Sequence, residues 1–535
     1  MWVLAVTLMV AEFLLFDRMT SRHHASVYPR WNDQIQYLSE AYTAYERAQS
    51  EGFFSSAKTA LTKTALQGTL HDVAALVVFT VTGSPSRSAA LSLNMLVFLV
   101  WQAALLFTVH RLTGSRVLGW MAFGLVLCVA WPWSGEAGSA VDFRLDHAAM
   151  CLMGVAACCA ALSDGFRHRG WSVAFGVAVA ITLLERFLTG AYFAAIFVTF
   201  AIWAATGRER WRRLGHLVLA GAIATAVALP AFWHSREAIY NYYWVGHVSG
   251  AESTARFRGL DLWNSVQFIF ANLGRMHLGA QFGWAVAVLT AMVAVLWVWG
   301  PRRESAHSRR AWMFSALIFS LLPAAVLTLH RQKSEYVLGV LVGGIVLLVP
   351  ALWACAWDRI AFENAAPLRR RLALAPAMLA LGIGGWFYVN RQIHPVQADL
   401  ASVRKINEVA DRIFESARRN QIKNPYIAID QVVDYFDAQI LQVICYERKK
   451  IWVPFVIQLP NSILEDTDEV MLYRLKLCHF VVLTDQMDGP GHWPYDKQMR
   501  RLYPQLKAWC EANLERVETF RVFGRQLSLY QRNAP

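Results

Sequence analysis

Apolar residues fall along this chain in long blocks separated by short polar joints. The blocks cover residues 2–16, 89–109, 117–133, 147–163, 171–188, 190–206, 214–232, 281–299, 312–329, 336–356 and 373–389. A helix needs roughly 17–25 apolar residues to cross a bilayer, so each block predicts a transmembrane helix, eleven in all. The first is slightly short and carries Glu12, which leaves a truncated start open; no basic leader and no small-residue cleavage site mark a cleaved signal peptide. Residues 17–87 are polar and amphipathic, with an apolar patch at 73–81 too short to span, and predict a long extramembrane loop with surface helices.

From residue 397 the pattern changes. Leu400 to Arg419 repeats at helical spacing, whereas Tyr426–Asp430, Ile451–Val456, His479–Asp485 and Glu518–Val522 are short β-branched or apolar runs between further helices. The predicted architecture is an α-helical polytopic membrane domain over residues 1–392, followed by an extracytoplasmic α/β domain over residues 393–535. That tail has no glycine-rich phosphate loop, so no nucleotide cofactor is expected.

Composition agrees with the block pattern. Apolar residues make up 56% of the 535 and charged ones 17%, far from a soluble average. Lysine and arginine outnumber aspartate and glutamate by 51 to 38, but the excess sits in clusters between the apolar blocks. Arg111 and Arg116, Arg167 and Arg169, Arg208 to Arg213, Arg302 to Arg310, and Arg359 to Arg371 all fall on one side. This is the positive-inside signature of cytoplasmic loops and does not point to nucleic acid. The opposite set, extracytoplasmic, holds residues 17–87, the joint with Asp142 and Asp146, the break at Glu185–Gly190, the loop 233–280, His330–Glu335 and the tail. The cysteines show no ligand spacing; Cys445 and Cys478 are free to pair if the tail is periplasmic.

Candidate chemistry lies on that outer side. In Tyr28-Pro29-Arg30-Trp31-Asn32-Asp33-Gln34-Ile35-Gln36-Tyr37-Leu38, Asp33 is a carboxylate at the membrane surface beside aromatic anchors. Asp142 and Asp146, in Val141-Asp142-Phe143-Arg144-Leu145-Asp146-His147, either open a helix at its positive end or share catalysis, one taking a proton while the other orients the acceptor or holds a divalent cation. His330-Arg331-Gln332-Lys333-Ser334-Glu335-Tyr336 places cations against the positive-inside bias, which suits a lipid phosphate or snorkelling to headgroups. Glu185 and Arg186 read as an intramembrane ion pair. Tyr37, Arg144 and His330 are candidate substrate contacts.

The chain resembles the polyprenyl-phosphate-dependent membrane glycosyltransferases of the GT-C class. It is similar in plan to lipid A aminoarabinose transferases, lipopolysaccharide galacturonosyltransferases and protein O-mannosyltransferases. The resemblance covers most of residues 1–390. It rests on Asp33; on Gly83-Ser84-Pro85-Ser86-Arg87 through Asn94 to Leu112-Thr113-Gly114-Ser115-Arg116; on Asp142 to Asp146; and on Lys333 with Tyr336. It implies Asp33 as catalytic base, Asp146 or Asp142 as a site or metal-binding acid, and Lys333 and Tyr336, with Arg331 nearby, on the donor phosphate. Relatives often carry an acid after the first aspartate, where this chain has Gln34. They also often have a Lys-Pro pair where it has Gly68-Thr69-Leu70-His71-Asp72, so His71 becomes a candidate phosphate contact.

The function expected is transfer of a sugar from a polyprenyl-phosphate carrier to a hydroxyl-bearing lipid, glycan or protein of the cell envelope. The expected setting is a bacterial inner membrane with the tail in the periplasm. A divalent metal, magnesium or manganese, is an open expectation. The rivals are a transporter or flippase, whose ionisable residues would sit at mid-membrane in broken helices, and a non-catalytic membrane subunit.

Overall fold

The computed structural model describes residues 1–25, 33–135, 137–206, 208–249, 261–299, 309–330, 333–357, 367–394, 400–430, 437–450, 456–459, 467–484 and 494–532. They form two compact units. The first holds Met1–Thr20, Thr43–Pro85 and Ala89–Pro395; the second holds Ser21–Tyr42, Ser86–Ser88 and Val396–Pro535.

The first unit is helical. Every apolar block of the sequence is met by a helix, among them Trp2–Met19, Arg87–Thr113, Leu145–Leu162, Arg169–Glu185, Thr189–Thr206, Arg210–His234, Arg310–Leu329 and Pro367–Ile393. Six helices among the described residues are long and apolar enough to cross a membrane, and the chain is a multi-pass membrane protein. The patch at 73–81 lies in helix Leu70–Thr82, which is too short to cross.

Burial separates these helices by role. Helix Leu145–Leu162 is 83% buried inside the protein, whereas Arg210–His234 is 28% buried and turns most of its apolar surface outward. In lipid, water expulsion contributes little to helix association, so close backbone approach matters more. Helix Leu145–Leu162 has it: a Cβ on Gly343 would stand 2.6 Å from the Gly154 Cα, and one on Gly154 would stand 2.2 Å from the Trp101 indole nitrogen.

The second unit carries a five-stranded sheet in the order β2-β1-β3-β5-β4, with β1 Ile427–Asp430, β2 Val456–Leu459, β3 Phe480–Thr484, β4 Glu515–Val522 and β5 Arg525–Gln531. Strands β2, β1 and β3 are parallel, and β5 joins β3 and β4 antiparallel. The parallel strands are joined through helices Ala438–Lys449 and Asp468–Leu477, as right-handed crossovers require helices, while β4 and β5 need only a tight turn. Ala428, Leu459, Leu475, Cys478, Val481, Leu506 and Cys510 fill one core cluster. Cys445 and Cys478 are both buried free thiols, so the pairing that the sequence left open is not made.

In the same unit Tyr37, Leu38 and Ala41 are buried along helix Asp33–Glu51. Tyr42 donates to Glu447 over 2.5 Å and packs on the Tyr446 ring. Gln34, fully buried, accepts from Arg87, which also donates to the His24 carbonyl.

Candidate active site

The loop between helices Arg116–Leu127 and Leu145–Leu162 is tied from several sides. Asn94 donates its amide to the carbonyls of Ala140 at 3.0 Å and Asp142 at 2.8 Å. Gly138, at φ +78°, gives its N–H to Asp142 Oδ2 at 2.5 Å and its carbonyl to the Trp131 indole at 3.0 Å. That backbone conformation favours glycine, and a Cβ there would also stand 3.2 Å from Tyr336 Cβ and 3.3 Å from Asp146 Cβ. Asp146 and Tyr336, far apart in sequence, therefore meet at this glycine. Asp142 also pairs with Arg144 Nε at 3.1 Å, and the Arg144 guanidinium lies 5.2 Å over the Tyr336 ring.

Asp146 stands in the first turn of helix Leu145–Leu162, where the dipole favours a carboxylate. It is buried, and its Oδ1 lies 3.1 Å from Arg186 Nη2. Arg186 in turn donates to Gln67, whose amide reaches the Tyr242 hydroxyl at 3.0 Å. A strap, Gln67-Gly68-Thr69, is docked on the end of helix Arg169–Glu185 by Phe187 N to Gln67 O at 2.6 Å and Thr69 N to Leu184 O at 2.8 Å. Only glycine fits at its centre, because a Cβ on Gly68 would stand 2.0 Å from the Glu185 carbonyl oxygen.

Beyond the strap, His71 Nδ1 lies 2.7 Å from Glu185 Oε1 and its ring packs 4.2 Å from that of Phe143. Both members of this pair are buried, and the next residue, Asp72, forms an ion pair with Lys63. The adjacent Glu185 and Arg186, expected to form an ion pair, take separate partners: Glu185 reaches His71 and Arg186 reaches Asp146. The helix end explains it: Glu185 is its last residue, and Arg186, the C-cap, is already extended at φ −143° and ψ 104°, so the two side chains leave in different directions.

Lys333 behaves differently from a headgroup-facing cation. Its ammonium donates to the carbonyls of Leu327 at 2.9 Å, Thr328 at 2.8 Å and His330 at 2.5 Å, so its three protons cap the C-terminus of helix Arg310–Leu329. Burial holds its pKa below the ordinary lysine range. His330 is half-buried, and Arg331 lies outside the described residues. A second tie runs through His277, which stacks on Trp131 at 4.3 Å and shares a 2.8 Å hydrogen bond with the Glu335 carbonyl. Burial pushes His277 down to about 4, so it is neutral at physiological pH and accommodates an apolar stack.

The structure thus brings together Asp142, Arg144, Asp146 and Tyr336 of the sequence candidates. It adds Asn94, Gly138, Arg186 and Tyr243, whose hydroxyl is pushed up to about 12 by burial, against the opposing charge of Arg186. Tyr37 is buried in the second unit, and Asp33 opens helix Asp33–Glu51 there, its side chain outside the described residues. Among the described residues no group of three His, Cys, Asp or Glu side chains is placed to hold a metal ion. Asp142 and Asp146 are each engaged by an arginine.

No protein-family model matches the chain, and no curated protein matches it. Its backbone is similar to that of ArnT from Cupriavidus metallidurans bound to undecaprenyl phosphate, with a TM-score of 0.58 and 14% identity over 98% of this chain and 97% of that one. The apo state of the same protein gives a TM-score of 0.58 and 15% identity over the same shares. AglB of Archaeoglobus fulgidus, in complex with an inhibitory peptide and a dolichol-phosphate, is more distant, with a TM-score of 0.48 and 10% identity over 95% of this chain and 71% of that one. The fold that this chain shares with ArnT is the GT-C fold.

Proposed function

We propose that the protein is a glycosyltransferase that moves a sugar from a polyprenyl-phosphate donor to a hydroxyl-bearing acceptor at the extracytoplasmic face of the membrane. The observation that carries this reading is the fold it shares, along nearly its whole length, with a protein solved bound to undecaprenyl phosphate. The buried Asp142, Arg144, Asp146 and Arg186, with the half-buried Tyr336, support it, because they concentrate charge beside aromatic rings in a membrane domain.

In the reaction the acceptor oxygen bonds to the anomeric carbon, the bond from that carbon to the phosphate oxygen breaks, and polyprenyl phosphate leaves. The acceptor proton passes to a base, the role proposed for Asp33. Arg144 and Arg186, held by their carboxylates, offer guanidinium donors suited to phosphate oxygens, with Tyr336 beside them. His71 is a further proposed phosphate contact. Lys333 joins the phosphate only if it leaves the helix end that it caps.

The eleven helices are proposed as eleven spans with the tail in the periplasm. Purified protein in detergent, assayed with radiolabelled polyprenyl-phosphate sugars and envelope acceptors, tests the function. Sugar transfer that depends on the lipid carrier is the expected result. Turnover of no lipid-linked sugar, together with movement of a lipid-linked substrate across reconstituted vesicles, would replace the enzyme reading with that of a flippase.

A further inference from the structure

The strap Gln67-Gly68-Thr69 is held from two sides. On one, it is hydrogen-bonded to Leu184 and Phe187 at the end of helix Arg169–Glu185, so close that Gly68 has no room for a Cβ. On the other, Ala65 N donates to Ser235 Oγ at 3.1 Å, just past helix Arg210–His234, and Ala65 and Leu70 pack against a core of Leu184, Phe187, Ala228 and Ala231. A backbone fixed in this way leaves Gln67 only its own rotamers. Its carboxamide bridges two groups: Oε1 accepts from Arg186 Nη1, and Nε2 donates to the Tyr242 hydroxyl at 3.0 Å. Arginine sets the direction of this bridge, because a guanidinium only donates and the amide oxygen must lie on its side. Arg186 Nη2 meets Asp146 Oδ1 at 3.1 Å, so a carboxamide and a carboxylate hold the two terminal nitrogens of one guanidinium.

The neutrality of that carboxamide matters because of the charges beside it. Asp142 with Arg144, and Asp146 with Arg186, are two buried pairs whose charges sum to zero. A glutamate at position 67 would reach the same two partners with nearly the same shape, since a tyrosine hydroxyl donates as readily as it accepts. It would also set a second carboxylate on Arg186 and give the group a net negative charge, where burial strengthens charge interactions and an anion is repelled. We propose that Gln67 is a positioning residue: its carboxamide fixes the plane of the Arg186 guanidinium without cancelling its charge, so that Arg186 stays able to take the phosphate of the lipid donor. This rests on the glycosyltransferase reading above. Tyr242, in the segment Tyr240–Ser249, supports the far end of the bridge.

Two quantities are measured on the full chain in detergent, for wild type, Gln67→Glu, Gln67→Ala and Tyr242→Phe. One is donor KM and kcat with a radiolabelled polyprenyl-phosphate sugar; the other is the rise in Tm on adding undecaprenyl phosphate. Gln67→Glu keeps a Tm close to wild type without ligand, raises donor KM on the order of tenfold or more, and loses most of the stabilisation by undecaprenyl phosphate, while kcat at saturating donor changes less. Tyr242→Phe, which loosens one end of the bridge and adds no charge, raises KM in the same direction by a smaller factor. A Gln67→Glu protein with wild-type donor KM and wild-type stabilisation overturns the inference. If Gln67→Glu does not fold, Gln67→Ala decides: a raised KM upholds the inference, and an unchanged KM, whatever the Tm, makes Gln67 a structural tie alone and overturns it. A wild type that is not stabilised by undecaprenyl phosphate and transfers no lipid-linked sugar would be the failure of the glycosyltransferase reading itself.

Discussion

Asp146 and Arg186 form an ion pair in which both side chains are more than nine-tenths buried, with Oδ1 and Nη2 3.1 Å apart. Taking two charges out of water is costly, and removing one partner leaves the other uncompensated. Arg186→Ala is therefore expected to lower stability by about 3–5 kcal/mol, and the double substitution Asp146→Asn with Arg186→Gln by less than the sum of the single ones. Thermal unfolding in detergent of wild type, Arg186→Ala and the three variants of the cycle checks this; additive losses would mean that the two side chains are not coupled.

Lys333 caps a helix with three hydrogen bonds, so Lys333→Ala leaves buried carbonyls without donors. The expected cost is about 1–3 kcal/mol. Donor KM read alongside the melting temperature separates the roles: a lower Tm with unchanged KM is a cap alone, whereas a raised KM with unchanged Tm gives the lysine to the phosphate.

Asp33→Asn keeps the side-chain shape and loses the basicity. Loss of a general base typically slows turnover by about 10²–10⁴-fold, and that range is expected for the single-turnover rate, with expression unchanged. Residual activity above about a tenth of wild type would take the base role from Asp33.

Asp437 accepts from Ile440 N at the start of helix Ala438–Lys449, and burial pushes its carboxyl from 3.8 up to about 6. The folded state then holds this proton more tightly than the unfolded chain. Its contribution is present below the unfolded value and is lost as pH rises through the folded one, a loss of about 2–3 kcal/mol between roughly pH 4 and 6. Asp437→Asn, still a good helix cap, should flatten this slope in hydrogen-exchange protection of strand β1. An unchanged slope would assign it to other groups.

Reporter fusions placed after Arg391 and within Arg208–Arg213 should report opposite sides of the membrane. The same side for both would overturn the orientation drawn from the arginine clusters.

The helices were legible because lipid selects apolar runs of spanning length, and those runs are long enough to survive local exceptions such as Glu12. Strands β1 and β3 were legible from their β-branched runs. Strand β5 was missed although Leu527, Leu529 and the alternating polar positions signal it. The clue lay in Phe523 and Gly524, both at positive φ, which form the two-residue turn back from β4. At the site, residue types pointed to Asp142 and Asp146, but pairing is set by tertiary approach. Nothing in one dimension says that Arg186 reaches Asp146 while its neighbour Glu185 reaches His71, or that Lys333 folds back onto its own helix.

The near-contact of Gly154 with Gly343, and of Gly154 with Trp101, makes helix Leu145–Leu162 a fixed post. A rotation of a few tens of degrees or a slide of one residue would drive side chains into the Gly343 backbone on one side and the Trp101 indole on the other, so Asp146 rides on a support with a single setting. Any rearrangement of this unit is then left to the more outward-facing helices such as Arg210–His234. Amide exchange along Leu145–Leu162 should be slower than along Arg210–His234.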